Sequence, residues 1–149
     1  MKLYLHILII LNFLFSNLIF SQEETTKFYI TELRGDISLE MEINNLESNK
    51  GPIYIRILDE NENPVIVGTS PVINYSAEIS FDSIFPGKYA IQFFHDENEN
   101  KKMDFNLIGI PKEKFGSSNN VKPVLGPPKF EKMLFNLTEN KKIIMIPVN

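Results

Sequence analysis

The chain has 149 residues, enough for one domain, and 43% of them are hydrophobic, including 12 Phe and 5 Tyr, so a real core can be buried. A formal charge of −4 with scattered lysines argues against a nucleic-acid partner, which would require a basic stripe. The absence of cysteine excludes a disulfide framework, thiolate-held metals and a lipid-modified N-terminal cysteine.

Residues 1–21 read as a signal peptide, with Lys2 as the positive start, an apolar run from Leu3 to Phe20 and cleavage after Ser21. The rival reading is a retained anchor, because the run nearly reaches the ~20 residues of a membrane span. Asn12, Ser16 and Asn17 interrupt it and favour removal. The expected product is a secreted or periplasmic protein, residues 22–149, with no stable membrane insertion after cleavage.

Phe28-Tyr29-Ile30 is a short strand candidate. Ile37, Leu39, Met41 and Ile43 alternate with polar residues, the mark of a strand with one buried and one wet face. After the turn cluster Asn45–Gly51, Ile53, Ile55 and Ile57 repeat the pattern, and the two strands are expected to pair as sequence neighbours. Asp59–Asn63 is a solvated turn. Val65–Val67, bounded by Pro64 and Gly68, reads as an edge strand. Ala77, Ile79 and Phe81 alternate again, and Phe85-Pro86-Gly87 makes a tight turn. Lys88–His95 is the most apolar strand and is expected at the centre, with Tyr89 bonding back to the preceding turn as tyrosine corners do. Met133, Phe135 and Leu137 form one later strand and Ile143–Ile146 another. No 3.6-residue apolar period is found, so the fold class is all-β: a single antiparallel sandwich of about seven strands.

The connection from Asp96 to Phe130 is about twice the ~12–15 residues beyond which loops without secondary structure become uncommon. Its start can order it. With Asp96 as position 1 of a calcium loop, Asn98 falls at 3, Asn100 at 5, the Lys102 carbonyl at 7 and Asp104 at 9. Alternate residues then point inward, leaving Glu97, Glu99 and Lys101 outside. Hard oxygen donors without Cys or His suit Ca²⁺ rather than Zn²⁺. Two positions depart from an EF-hand: Lys101 stands where Gly makes the sharp turn, and Leu107 stands where a bidentate Glu closes the shell. Glu113 or a backbone carbonyl would complete it. Few charged ligands imply weak binding, on the order of 10⁻⁵ to 10⁻³ M.

His95-Asp96-x-Asn98-x-Asn100, Asp104, Gly109-Ile110-Pro111-x-Glu113, Gly116-x-Ser118-Asn119-Asn120, Gly126-Pro127-Pro128-x-Phe130 and the Pro86–Ala90 turn resemble a bacterial exported family, domain of unknown function 2141. The likeness runs from Ile37 to the C-terminus. It implies an immunoglobulin-like or transthyretin-like sandwich and no known activity, and the family carries Gly where this chain has Lys101. The Asp-x-Asn-x-Asn-x-x-x-Asp run also resembles, locally, calcium loops of surface-protein B-type repeats.

His95 is read as a structural histidine beside the ligands, with metal ligation as the alternative. No serine–histidine–acid set is found around Ser117 and Ser118, so no catalytic residue is assigned. Asn119 and Asn120 are expected to cap loop backbone. Phe105, Ile108, Ile110 and Phe115 are expected to fold the loop onto the sandwich; if exposed, they form a partner patch. Asn74-Tyr75-Ser76 and Asn136-Leu137-Thr138 match glycosylation acceptors only as patterns. The resulting expectation is a secreted, non-enzymatic binding or structural module stabilised by Ca²⁺, with an unknown protein or carbohydrate ligand. A hydrolase-like enzyme using the 95–130 loop and a carbohydrate or protein adhesion module are the alternatives.

Overall fold

The computed structural model describes residues 27–30, 35–124 and 126–148. The expected signal peptide lies outside them. Among the described residues nine strands form: β1 (Lys27–Ile30), β2 (Ile37–Ile43), β3 (Ile53–Asp59), β4 (Pro64–Ser70), β5 (Ala77–Ile84), β6 (Gly87–His95), β7 (Phe115–Ser117), β8 (Phe135–Leu137) and β9 (Lys141–Met145). A one-turn helix, α1 (Phe130–Met133), precedes β8.

One sheet runs β1-β4-β3-β6-β7, with β8 also paired to β6; the other runs β5-β2-β9. The alternating residues are the inner faces of these two layers. Leu39, Met41 and Ile43 from β2, Ile53, Ile55 and Ile57 from β3, and Tyr89, Ile91 and Phe93 from β6 share one buried cluster with Ala77, Ile79 and Phe81. The chain is therefore all-β and sandwich-like, as the alternation predicts. The Tyr89 hydroxyl donates to the Phe85 carbonyl at 3.0 Å, fastening β6 to the turn before it.

Several expectations are corrected. β2 and β3 do not pair: the Asn45–Gly51 segment carries the chain from one sheet to the other, and β2 pairs β5 and β9 instead. The β2–β9 pairing is parallel, so the sandwich is not wholly antiparallel. β4 is flanked by β1 as well as β3 and is not an edge. Its Pro64 sits at the first position, where the missing N–H costs no ladder bond inside the strand. Met133 ends α1 rather than starting a strand, although it is buried. β7, not expected, lies inside the long connection. β6 is central as expected: β3 covers one edge, while β8 and β7 share the other end to end, at Gly87–Tyr89 and Gln92–Phe94.

Candidate functional site

The long connection leaves the sandwich at the end of β6, where His95 and Asp96 are fully buried. The buried docking explains the abrupt change from strand to loop. The Asp96 N–H donates to the Pro52 carbonyl at 3.0 Å, and the His95 N–H to the Lys114 carbonyl at 2.8 Å. His95 Nε2 lies 2.7 Å from the Lys50 carbonyl. A carbonyl only accepts, so Nε2 carries a proton and donates it to Lys50. Nδ1 finds no hydrogen-bond partner and lies 3.6 Å from Glu97 Oε1. Lys114 reaches Glu47 at 2.8 Å, a further tie between the loop and the 45–52 segment.

From Asp96 the backbone coils around its own side chains. Asp96 Oδ1 accepts from the Asn100 N–H at 3.1 Å, and Oδ2 accepts from the Lys101 N–H at 2.7 Å. Asn98 Oδ1 accepts from the Asn100 N–H at 3.1 Å, and Asn100 Oδ1 from the Lys102 N–H at 3.0 Å. Asn98 and Asn100 each bond the N–H two residues on, and Asp96 the N–H groups four and five on, so the run coils about the buried Asp96 carboxylate while Asn98 and Asn100 stay exposed. Asp104 meets them there: its Oδ2 accepts from Asn98 Nδ2 and Asn100 Nδ2, both at 2.7 Å. The Asn98 amide, with Asn100 and nearby Lys102 and Lys112 adding to it, holds the Asp104 carboxyl below the ordinary aspartate range. Among the described residues, no group of three or more His, Cys, Asp or Glu is gathered to hold a metal ion, so any cation here depends on amide and carbonyl oxygens too.

Lys101 has φ +66° and Glu99 φ +59°. The sharp turn thus falls on Lys101, where the calcium-loop pattern places Gly. An L-residue in this left-handed region costs roughly 1–2 kcal/mol, which glycine escapes, less part of its larger entropy loss on folding. Lys101→Gly is expected to raise stability by about 0.5–1 kcal/mol in urea denaturation. An unchanged or lower midpoint would show that the Lys101 side chain contributes something the turn geometry does not reveal.

Glu113 approaches the cluster from the returning side of the loop, two residues before β7. It is 6% exposed, and its Oε2 accepts from the Asp104 N–H at 3.1 Å. Its Oε1 is buried and has no partner. Burial pushes the Glu113 carboxyl above the usual glutamate range, and the negative charges of Asp96, Asp104 and Glu97 push the same way.

Beyond Asp104 the chain makes a small closed turn. Phe105 bridges Pro111, the Asn106 N–H donates to the Ile110 carbonyl at 2.9 Å, and the Gly109 N–H to the Asn106 carbonyl at 3.0 Å. Asn106 Oδ1 accepts from both the Ile108 and Ile110 N–H groups at 3.0 Å. This turn corrects the expectation that the loop's apolar residues pack down. Phe105, Ile108 and Ile110 are exposed, and so is Leu107; only Phe115, in β7, is partly covered. The bonds to Asn106 fix the turn from within, so it needs no apolar contact to hold its shape.

The remaining loop residues are framework. Ser118 Oγ accepts from the Ile91 N–H and donates to the Met133 carbonyl. Asn119 Nδ2 donates to the Lys132 and Leu134 carbonyls, and Asn120 bonds Ile144 and Ile146, the backbone capping expected of both.

A family model described as "Uncharacterized protein conserved in bacteria (DUF2141)" matches residues 41–145. No curated protein matches, and no solved structure matches. The family match runs from within β2 to the end of β9 and includes the whole loop, and the chain belongs to this family.

Proposed function

We propose that this DUF2141 protein is an exported β-sandwich module whose 96–113 loop binds Ca²⁺ and serves as a binding element. The observation that carries the reading is Glu113 Oε1, a buried carboxylate oxygen with no partner. It belongs to a cluster in which Asp96 and Asp104 already repel added negative charge. A divalent cation would relieve that repulsion where a neutral donor could do so only in part. The carboxylates of Asp96 and Asp104, the amide oxygens of Asn98 and Asn100 and the Lys102 carbonyl would hold it, with Glu113 drawn in on binding because the three carboxylates are not gathered beforehand, an all-oxygen set suited to Ca²⁺. Calcium would do no chemistry on a substrate. It would fix the loop against a sandwich that has no disulfide to staple it. The apolar run near the N-terminus supports export, as the sequence leads one to expect.

Thermal melts test the reading. At about 100 times its dissociation constant, Ca²⁺ is expected to add about 2.7 kcal/mol over the same protein in EDTA. Identical midpoints in millimolar calcium and in EDTA would overturn calcium binding.

A further inference from the structure

We infer that the Phe105–Pro111 turn docks this protein on an anionic lipid bilayer, with Leu107 and Ile108 entering the headgroup region. The inference takes the loop as the binding element but does not require the cation. Leu107 is 106% exposed and Ile108 79%, with Phe105 and Ile110 half-exposed behind them. Apolar residues in water are ordinary when scattered, but here four lie within six positions on one turn that its own hydrogen bonds hold closed. The turn presents them rather than hiding them.

The shape and chemistry of the tip select the partner. It is convex and aliphatic. Protein interfaces take their anchoring energy from aromatic and arginine side chains seated in matching pockets, with Leu under-represented. A projecting Leu-Ile pair suits a deformable apolar medium instead. Charge points the same way. Asp96 and Glu113 are buried, and Asp104 is turned into the loop and hydrogen-bonded to Asn98 and Asn100. Lys101, Lys102 and Lys112 are exposed at the base of the turn, with the acids Glu99, exposed, and Glu97, partly exposed, beside them. The outward face of the base is therefore mainly cationic, complementary to lipid phosphates beneath which the tip would sit.

Because the chain contains no tryptophan, Leu107→Trp places a single indole reporter at the tip. Ile73→Trp, an exposed site in another loop, serves as the control. Both variants must melt as the parent does, which their exposure favours. With vesicles of equal parts phosphatidylglycerol and phosphatidylcholine, the tip reporter is expected to shift to the blue and to be quenched by brominated acyl chains. The control reporter should not move, so attachment through the N-terminal apolar run cannot imitate the result. Leu107→Ser with Ile108→Ser should weaken vesicle partitioning by about 100-fold, and neutralising Lys101, Lys102 and Lys112 to Gln by a similar factor. An unmoved tip reporter, or an equal response to phosphatidylcholine alone, overturns the inference. A blue shift that grows with protein concentration in the absence of lipid also overturns it, by assigning the tip to self-association. Repeating the titration in EDTA separates the two readings. A lipid response that persists while calcium leaves the melts unchanged refutes the cation alone; calcium-shifted melts without a lipid response refute the docking alone.

Discussion

Replacing Asp96 with alanine is expected to lower stability by about 3 kcal/mol and to erase any difference between melts in calcium and in EDTA. Both carboxylate oxygens are committed: one to the Asn100 N–H, the other to the Lys101 N–H at 2.7 Å. Hydrogen bonds to a charged group are worth ~1.5–3 kcal/mol each, and a buried donor left without its acceptor costs further. The side chain is fully buried, so its removal also opens a void. Against these losses, Asn100 and Lys101 are exposed, and water can reach part of what Asp96 releases. The balance lies nearer the lower end of the summed cost. Asp96→Asn keeps the shape and one acceptor oxygen, so it should lose roughly half as much. Urea denaturation of the three proteins measures the series. A loss below about 1 kcal/mol for the alanine variant would mean that Asp96 does not organise the loop.

The inner faces of the sandwich were legible because strand alternation is a local signal: Ile37 to Ile43 and Ile53 to Ile57 state which side is buried. They do not state which sheet a strand joins. β2 and β3 point their aliphatic residues at the same core from opposite layers, and the alternation is identical in either arrangement. Parallel pairing of β2 with β9 was hidden for a related reason, since nothing near Ile143 refers to a partner 102 residues away, such as Met41. β7 has three residues with Gly at its centre, too short to show any period.

In the candidate site, the coiling of residues 98–102 was readable because Asn98 and Asn100 bond N–H groups two residues on, which depends only on local side chains. The bond from the Asp104 N–H to Glu113 spans nine positions, and neither it nor the unpaired Glu113 oxygen leaves a local mark in the sequence. The exposed tip was misread because hydrophobicity alone predicts burial. Asn106 decides the matter: by accepting two N–H groups it closes the turn locally and leaves Leu107 and Ile108 outside. The 50–52 segment could not be seen at all, for its contact with His95 spans 45 positions.

That segment is the target of the second large effect: Gly51→Ala is expected to cost about 2–5 kcal/mol and to loosen the loop more than the sandwich. Gly51 has φ +68°, where an alanine is strained by roughly 1–2 kcal/mol before any contact is considered. The added Cβ would stand 1.8 Å from the Asp96 carbonyl oxygen, with the Asp96 carbonyl carbon at 2.8 Å and the Glu97 Cα at 3.1 Å. All three are backbone, so no flexible side chain can swing aside. Relief requires the 50–52 segment and the 95–97 segment to separate, which stretches the bonds that hold them: Asp96 N–H to the Pro52 carbonyl, and His95 Nε2 to the Lys50 carbonyl. Forced overpacking of this kind adds about 1–3 kcal/mol. Because Asp96 is also the first residue of the loop, the displacement should reach the N–H groups of Asn100 and Lys101. Backbone N–H groups within β3 and the middle of β6 should keep their slow hydrogen exchange, while Asn100, Lys101 and Lys102 exchange faster. Uniform acceleration across the sheets would show that the Gly51 contact supports the whole sandwich, and a near-neutral variant would show that the two segments can part at little cost.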